Sequence, residues 1–304
     1  MKRILFFLFT ASTLCACQQE DSSSIAPTEL SITAEKGNTM VTLTSSTPTP
    51  SFAEGDKIGL FLPQNTTDVV WQYTGGLWKS STPCYWKNKK DRFSYTAYAP
   101  YRTGSTKEAI LMPDLSKQTG KLSDLSAYDF LIATADVSFS ECKGKVTFSG
   151  ASAFQHIYSL IAIQLKNEET QDIITLQNLR LSGEHFFSSS TYNCSIIPHH
   201  FNSITTPVHQ LAIQDKSQLP EEGKTYYLLV RPTETAKEGN FQLSFTRGAQ
   251  TFSASTTTPA TTYKAGNLYL YTFALKKGEL LLEGTEIKPW IVIDQGESYL
   301  EESL

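Results

Sequence analysis

The sequence is poor in cysteine, with five in 304 residues. Beyond the first seventeen positions, cysteine remains at Cys84, Cys142 and Cys194. Three thiols cannot all pair within the chain, and we interpret them as buried apolar side chains. One disulfide is left open as the alternative, because nothing in the sequence indicates which two cysteines would form it.

Basic runs and long apolar runs are also scarce. The longest basic run is residues 87–90, and the net charge is −4, so nucleic acid is a poor candidate partner. We interpret that run as the tip of a hairpin. Beyond the N-terminal segment, no stretch approaches the about 20 apolar residues that span a bilayer. Charged residues make up 18% and aromatic residues 12%, a mix that favours an extracellular β-protein.

Motifs that carry catalytic chemistry are missing as well. The sequence contains no HExxH, GxSxG, GxxxxGK[ST] or GxGxxG pattern. His199 and His200 are adjacent, and adjacent residues of a strand point to opposite faces. We interpret His156, which lies beside a strand start, as a structural histidine. The sequence therefore predicts no catalytic residue, no metal site and no cofactor, and a hydrolase with paired carboxylates is the least favoured hypothesis.

The N-terminal segment has the layout of a processing signal. A short basic start precedes residues 4–14, an apolar stretch of about eleven residues that suits a secretory signal peptide and is too short for a membrane span. Leu-Cys-Ala-Cys at residues 14–17 then fits a bacterial lipobox, in which the Cys17 thiol takes up a diacylglycerol and cleavage falls between Ala16 and Cys17. An ordinary signal peptide is the alternative, and a zinc site at Cys15 and Cys17 is much less favoured.

These features predict a signal peptide over residues 1–16 and a lipidated, flexible tether over residues 17–30. Each buried methylene of an acyl chain contributes about 0.8 kcal/mol, so several chains on one cysteine would give lasting attachment. The acidic pair at residues 20–21 resembles the surface-export signal of Bacteroides-type lipoproteins. The alternative is that these charges only keep the tether solvated. We therefore expect lipid anchoring in the cell outer membrane, facing outward.

The rest of the chain alternates short strand-like stretches with turns. Leu30–Ala34 and Thr39–Leu43 alternate apolar and polar residues, and Gly75–Gly76 between apolar runs predicts a hairpin. Residues 102–127 are less regular and predict a long loop with one helical turn. Many short strands without βαβ alternation predict an all-β fold of antiparallel β-sandwiches.

Chain length favours two domains. We place the boundary near residues 138–144, where the sequence turns polar between two strand-like runs. This predicts an N-terminal β-sandwich over residues 31–140 and a C-terminal β-sandwich with a tail strand over residues 141–304.

Trp71, Trp78 and Trp86 have two interpretations. As core residues and cross-strand aromatic pairs they are buried. As a platform on which sugars stack, they are exposed in a line. The second interpretation belongs to an alternative hypothesis, in which the protein is a surface glycan-binding lipoprotein.

The order of motifs along the chain resembles the fimbrillin-like (Mfa-like) lipoproteins of Bacteroides-type bacteria, over nearly the whole mature chain. The motifs that carry the resemblance are, in order, FAEGDKIGLF at residues 52–61, YW at 85–86, AYAPY at 97–101, DFLIA at 129–133, FQH at 154–156, YKAG at 263–266 and IKPW at 287–290.

This resemblance implies two tandem transthyretin-like β-sandwich domains after the lipoprotein signal peptide, and a role in surface pili. In that family an arginine-specific protease removes an N-terminal strand from stalk subunits, and the vacated groove accepts a strand from the next subunit by β-augmentation. Here the next arginine after Arg3 is Arg92, inside the first domain. Lys36 is therefore the candidate site of proteolytic maturation.

We accordingly expect a non-enzymatic, lipid-anchored fimbrial or adhesin subunit, better suited to an anchor, tip or accessory role than to the stalk. Residues 31–43 are the candidate replaceable strand. The expected partners are other fimbrial subunits, the outer membrane through the lipid, and a host or glycan ligand. The candidate donor strand comprises Ile287, Trp290, Ile291, Val292 and Ile293, unless this tail is a strand of the second domain's own sheet.

Overall fold

The structure, a computed structural model, describes residues 27–36, 52–169, 174–213, 218–220, 222–256 and 262–290. Several predictions concern residues outside these ranges. They are cleavage and lipidation at Ala16 and Cys17, the strand Thr39–Leu43, and the tail residues Ile291, Val292 and Ile293.

Up to residue 156, the described part of the chain is mostly strand, with two short α-helices. The strands are β1 (Ser31–Ala34), β2 (Lys57–Phe61), β3 (Asp68–Thr74), β4 (Leu77–Ser80), β5 (Arg92–Ala99), β6 (Ile110–Leu111), β7 (Leu131–Ser138), β8 (Lys145–Phe148) and β9 (Gln155–His156). The helices are α1 (Leu125–Tyr128) and α2 (Phe139–Cys142). With the 3₁₀ turns Leu115–Lys117 and Leu122–Asp124, α1 lies in the segment that the sequence predicts as a loop with a helical turn.

The remaining described residues form strands joined by turns. These strands are β10 (Ser159–Asn167), β11 (Ile174–Thr175), β12 (Gln177–Gly183), β13 (Thr191–Asn193), β14 (His200–Phe201), β15 (Gln210–Ala212), β16 (Gln218–Leu219), β17 (Lys224–Val230), β18 (Phe241–Arg247), β19 (Gln250–Ser255), β20 (Asn267–Lys276) and β21 (Glu279–Pro289). Across the residues that the structure describes, no helix has the length and hydropathy needed to cross a membrane.

The first group of strands is built on an antiparallel sheet of six strands in the order β4-β3-β2-β5-β7-β9. The β3–β4 hairpin turns at Gly75 and Gly76, whose φ angles are 61° and 78°. A two-residue turn with both φ angles positive matches the twist of a hairpin, and glycine adopts it without steric cost, so the predicted hairpin is confirmed. A separate parallel pair, β1 with β8, shares a buried cluster with this sheet.

The second group contains two four-stranded sheets, in the orders β17-β10-β20-β21 and β15-β12-β18-β19. Their inner faces share one buried cluster, in which the rings of Phe241 and Tyr271 lie 4.8 Å apart, edge to face. The all-β sandwich is confirmed. Two pairings are parallel, β1 with β8 and β10 with β20, and the other strand pairs are antiparallel within the described ranges.

The two groups of strands are packed together. Phe61, Tyr98 and Phe130 come from the first group but belong to the same buried cluster as the second group's core. In addition, β6 pairs with β13 across the two groups. The six-stranded sheet therefore contributes its second face to the junction.

Strand pairing does not follow the predicted division between residues 140 and 141. Strand β8 pairs with β1, and β9 pairs with β7, so the first group continues to His156. The polar stretch that suggested a linker contains α2, whose first turn is closed by a capping box between Ser138 and Glu141. Its polarity reflects helix capping at the surface rather than a boundary between domains.

One side chain covers the outer edge of β17. The buried Gln118 amide donates to the Leu229 carbonyl (2.9 Å), and its oxygen accepts from the Leu229 N–H (2.7 Å). Close by, the Tyr227 N–H donates to the Gly120 carbonyl (2.9 Å). The segment after β6 thus occupies hydrogen-bonding positions that would otherwise stay open to another strand.

Replacing Gln118 by leucine should destabilise the protein. The Leu229 N–H and carbonyl would then be buried without partners, which costs about 1–3 kcal/mol per group. Urea unfolding measures the loss, and Gln72→Leu on the exposed part of β3 is the matched control, expected within about 0.5 kcal/mol of the parent. Equal unfolding midpoints for the two variants would contradict this role of Gln118.

Candidate strand-exchange site

The first strand and the residues just before it have backbone partners on one side in the segment 84–86. The Leu30 N–H donates to the Cys84 carbonyl (2.8 Å), and the Trp86 N–H donates to the Thr28 carbonyl (3.0 Å). These bonds are antiparallel in sense, as the bridge between residues 29 and 85 shows. The chain therefore enters the fold already paired.

On its other side, the first strand runs parallel to β8, with Ile32 opposite Val146. Past the strand, the Glu35 N–H donates to the Phe148 carbonyl (2.8 Å), and the Glu35 carbonyl accepts from the Phe154 N–H (3.0 Å). The segment 28–35 is thus bonded along one edge over residues 28–30 and along the other edge over residues 31–35, and β1 itself pairs with β8 alone among the described strands. Removing the segment would leave both of these partners unpaired.

The side chains of this segment alternate between core and solvent. Leu30 and Ile32 are 2% and 4% exposed and belong to the first buried cluster, whereas Ser31 is exposed. Alternation follows from the two-residue period of a strand. Burying each such apolar side chain contributes about 1.5–3 kcal/mol, so a replacement strand needs apolar residues in the same alternation.

Lys36, the predicted maturation site, lies at the end of this paired segment. It forms a bridge with Phe154, and its Nζ lies 3.8 Å from the Asp56 carboxylate and 4.8 Å from the centre of the Phe52 ring. The lysine side chain is 23% exposed. Cleavage after Lys36 would leave β1 bound only by non-covalent contacts, and such cleavage stays a prediction.

The candidate donor strand falls partly within the described residues. Ile287 belongs to β21, where it pairs with Tyr269 of β20 and is 55% exposed. Strand β21 is the outermost strand of its sheet and ends at Pro289, as expected because proline cannot donate to a ladder. The structure favours the interpretation of residues 287–290 as part of the chain's own sheet.

Trp290 fixes the end of that strand. The indole of Trp290 is fully buried, and the backbone N–H of the same residue donates to the Gly266 carbonyl (2.9 Å). The Gly266 N–H in turn donates to the Tyr158 carbonyl (2.9 Å), and the residue has a positive φ of 72° that suits glycine. The YKAG turn therefore holds the tryptophan of the IKPW motif in place.

The Trp290 ring also stacks on His156, with ring centres 3.7 Å apart and planes at 11°. His156 Nδ1 lies 2.8 Å from the Asp129 carboxylate. Three distant parts of the chain thus meet at one point. They are Asp129, which opens the DFLIA motif just before β7, His156 at the end of β9, and Trp290 just after β21. The structural interpretation of His156 is consistent with this position, whereas its two partners were missed, because no local pattern signals contacts so distant in sequence.

The three tryptophans of the first group do not form a sugar-stacking platform. Trp71, Trp78 and Trp86 are 3%, 8% and 6% exposed, and all belong to the first buried cluster. Trp78 packs edge to face on Phe52 at 4.9 Å. Buried rings cannot stack on a glycan, so of the alternative hypothesis, which named these tryptophans or exposed tyrosines as the platform, the tryptophan platform is wrong.

The described residues include three free cysteines and no cluster of histidine, cysteine, aspartate and glutamate that could hold a metal ion. Cys84 and Cys194 are buried, and burial raises the pKa of the Cys194 thiol to about 12. Cys142 is half-buried, which differs from the expectation of full burial. At neutral pH the Cys194 thiol is therefore protonated and a poor nucleophile.

A sequence model of the fimbrillin-like family matches residues 33–290 of the chain. The chain belongs to the fimbrillin-like family. The match begins at Thr33, within the first strand of this fimbrillin-like protein, and ends at Trp290, so Leu30, Ile32 and the chain after Trp290 lie outside the matched residues. No curated protein matches its sequence.

Solved structures with the same fold come from three species of Bacteroides. A proposed cell adhesion protein of Bacteroides uniformis is 18% identical, with a TM-score of 0.60 over 87% of this chain and 99% of that chain. One from Bacteroides ovatus is also 18% identical, with a TM-score of 0.60 over 88% and 99%. A third, from Bacteroides fragilis, is 11% identical, with a TM-score of 0.52 over 87% and 98%.

At these identities the structural likeness establishes the fold alone. The family match supports a cell-surface fimbrial or adhesin subunit whose role is structural. The geometry adds one segment through which such a subunit could exchange strands, the paired first strand.

Replacing Trp290 by alanine should destabilise this fimbrillin-like protein by about 3–5 kcal/mol, because a fully buried aromatic ring is removed. Trp290→Phe should recover part of the loss, since it keeps a ring against His156. The exposed Ile287→Ala on the same strand is the control and should change stability little. Unfolding in urea measures all three variants, and equal losses for Trp290→Ala and Ile287→Ala would contradict the proposed packing.

Proposed function

We propose that this chain is a non-enzymatic, lipid-anchored subunit of a cell-surface fimbria that assembles by strand addition and serves as an anchor, tip or accessory subunit rather than a stalk repeat. The observation that carries the proposal is the segment 28–35, whose first half is bonded to residues 84–86 and whose second half is bonded to residues 144–154, with apolar side chains buried in alternation. Such a segment can be exchanged for a strand of the same pattern from another subunit.

The placement of arginine supports a role outside the stalk. Arg92 begins β5, pairs with Ser138, and its guanidinium bonds to Glu141 and to the Asp136 carbonyl. A cut there would break the chain between β4 and β5, and strands β2, β3 and β4 would no longer be covalently linked to the rest of the six-stranded sheet. An arginine-specific protease would therefore not release the first strand alone, and an uncut subunit keeps both this strand and its lipid.

We interpret the two strand groups as two tandem transthyretin-like domains. The segment between β5 and β7 belongs to the first group and contacts the second, through the pairing of β6 with β13 and the bonds of Gln118 to Leu229. The donor role falls to the chain after Trp290, including Ile291, Val292 and Ile293, because Ile287 and Trp290 are engaged by their own sheet. Partners of this chain are accordingly other fimbrial subunits, and the outer membrane through the lipid.

The anchor predicts the effect of a single substitution. Cys17→Ala removes the thiol that would carry the lipid, so the protein should lose incorporation of labelled fatty acid and move from the detergent-rich phase to the aqueous phase. Cys142→Ala, a half-buried cysteine in α2, should leave both unchanged. Equal labelling of the two variants would exclude Cys17 as the attachment site.

If the first strand is instead released, cleavage after Lys36 removes it together with the lipidated Cys17 and should precede assembly. A lysine-specific protease acting on residues 18–304 should create a new N-terminus at Gly37 and convert monomers into oligomers. Lys36→Gln should block both events, whereas the exposed Lys57→Gln in β2 should block neither. Size-exclusion chromatography and N-terminal sequencing measure the outcome.

The same assay locates the donor strand. A chain that ends after Trp290 retains β21 and its buried tryptophan, so it should fold and be cleaved but stay monomeric. Oligomers of equal size from the full and shortened chains would remove the tail from the assembly mechanism. Oligomers that form without cleavage would remove Lys36 from it.

A further inference from the structure

The basic loop Lys87–Lys90 is the one feature singled out in the sequence that the proposed assembly does not use. Its turn is built around Asn88, whose side-chain oxygen accepts from the N–H groups of Lys90 and Asp91 (both 2.9 Å). The Asn88 amide donates to the Asp91 carboxylate (2.8 Å). The acidic side chain that directly follows the loop, Asp91, is therefore hydrogen-bonded to Asn88.

The three lysines have no carboxylate partner among the residues that the structure describes. Lysines elsewhere in the chain do, for example Lys276 with Glu168 at 2.9 Å and Lys288 with Glu286 at 3.0 Å. Lys87, Lys89 and Lys90 are all exposed. They form a concentration of positive charge, three lysines beside the one carboxylate of Asp91, on a protein whose net charge is −4.

Neighbouring rings support two of these side chains. The ammonium group of Lys87 lies 5.7 Å from the centre of the Phe93 ring, and that of Lys89 lies 4.9 Å from the centre of the Phe139 ring. Such contacts restrict the flexible lysine stems. The three charges therefore have a defined location in the first strand group.

The loop lies beside the point at which the chain enters the fold. Pro27 and Thr28 line the same surface cavity, of about 540 Å³, as Trp86 and residues 87–91. Nine residues lie between Cys17 and Pro27, which makes ten Cα–Cα steps. That length spans at most about 36 Å when fully extended and about 17–19 Å as a flexible coil.

We propose that Lys87, Lys89 and Lys90 form a surface that docks onto anionic lipid headgroups of the membrane in which the chain is anchored. The proposal rests on the proposed lipid anchor at Cys17, which would bring this loop, before any other described part of the fold, close to the bilayer. Docking would fix the orientation of the first strand group relative to the membrane.

The charge of three lysines is sufficient to orient a protein that is already anchored to a membrane, but it is weak for recruiting a free protein to that membrane. One lysine at an anionic surface strengthens binding about fivefold, and the effect decays over about 8 Å at physiological ionic strength. Three lysines therefore give an increase on the order of 100-fold, which is weak for a free protein. A tethered protein gains from the high effective concentration that the anchor supplies, so the same contacts suffice to hold one face toward the bilayer.

The test uses residues 18–304, which keep all described residues and lack the lipidated cysteine. We expect sedimentation with vesicles of phosphatidylcholine and phosphatidylglycerol at low salt, little with phosphatidylcholine alone, and loss of binding as salt increases. Replacing Lys87, Lys89 and Lys90 together by glutamine should weaken binding on the order of 100-fold. The control carries the same charge change at Lys121, Lys237 and Lys264, which are exposed and do not line the cavity beside the loop, and it should bind like the parent.

Three results would overturn the proposal. Equal binding by the two triple variants would show that the loop is not the contact. Binding that appears only after Glu20→Gln and Asp21→Gln would show that the loop is occupied by the chain's own acidic tether. Loop-dependent binding to heparin without binding to anionic vesicles would assign the surface to an acidic polysaccharide. Because the vesicle assay uses unlipidated protein, its failure is distinct from a failure of acylation at Cys17, which detergent partitioning measures.

Discussion

An extended backbone needs hydrogen-bond partners, and the segment that contains the first strand is bonded on one side before the strand and on the other side along it. Residues 84–86 supply one edge and residues 144–154 the other. Leu30 and Ile32 then complete the core beneath. The slot around this strand is therefore formed by segments distant in sequence, and it persists only while some strand occupies it, since paired edges and buried apolar groups are what hold its walls in place.

The second constraint is the junction between the two strand groups. Gln118 satisfies the outer edge of β17, while the stack of Trp290 on His156 ties the last described strand to the end of β9. Both contacts place side chains of one group against backbone or rings of the other. A strand exchanged at the first group is thus felt by a core that continues into the second, because interiors are close-packed and transmit small shifts.

Much of the fold follows from local patterns in the sequence. The alternation of Leu30–Ala34 and the paired glycines at 75–76 specify a strand and a hairpin turn, and both occur. The domain boundary near residue 140 stays a prediction; β8 and β9, which follow it, pair with β1 and β7, which precede it, and a capped helix is as polar as a linker. The contact of Trp290 with His156 had no signal, because a ring's partner in three dimensions leaves no periodic trace. Burial of Trp71, Trp78 and Trp86 was one of two interpretations, since indole suits both a core and a sugar surface.

The direction in which the first strand runs has a consequence for any assembly built from it. It is parallel to β8 and antiparallel to residues 84–86. A substitute entering in the reverse sense would meet neither ladder in register, so only one polarity of insertion restores the bonding. Each subunit added in this way points the same way as the last, and the contact is heterologous, joining two different surfaces. A series of such contacts would lack the two-fold symmetry that closes a dimer, so it would form a ring or an open filament depending on the rotation between successive members.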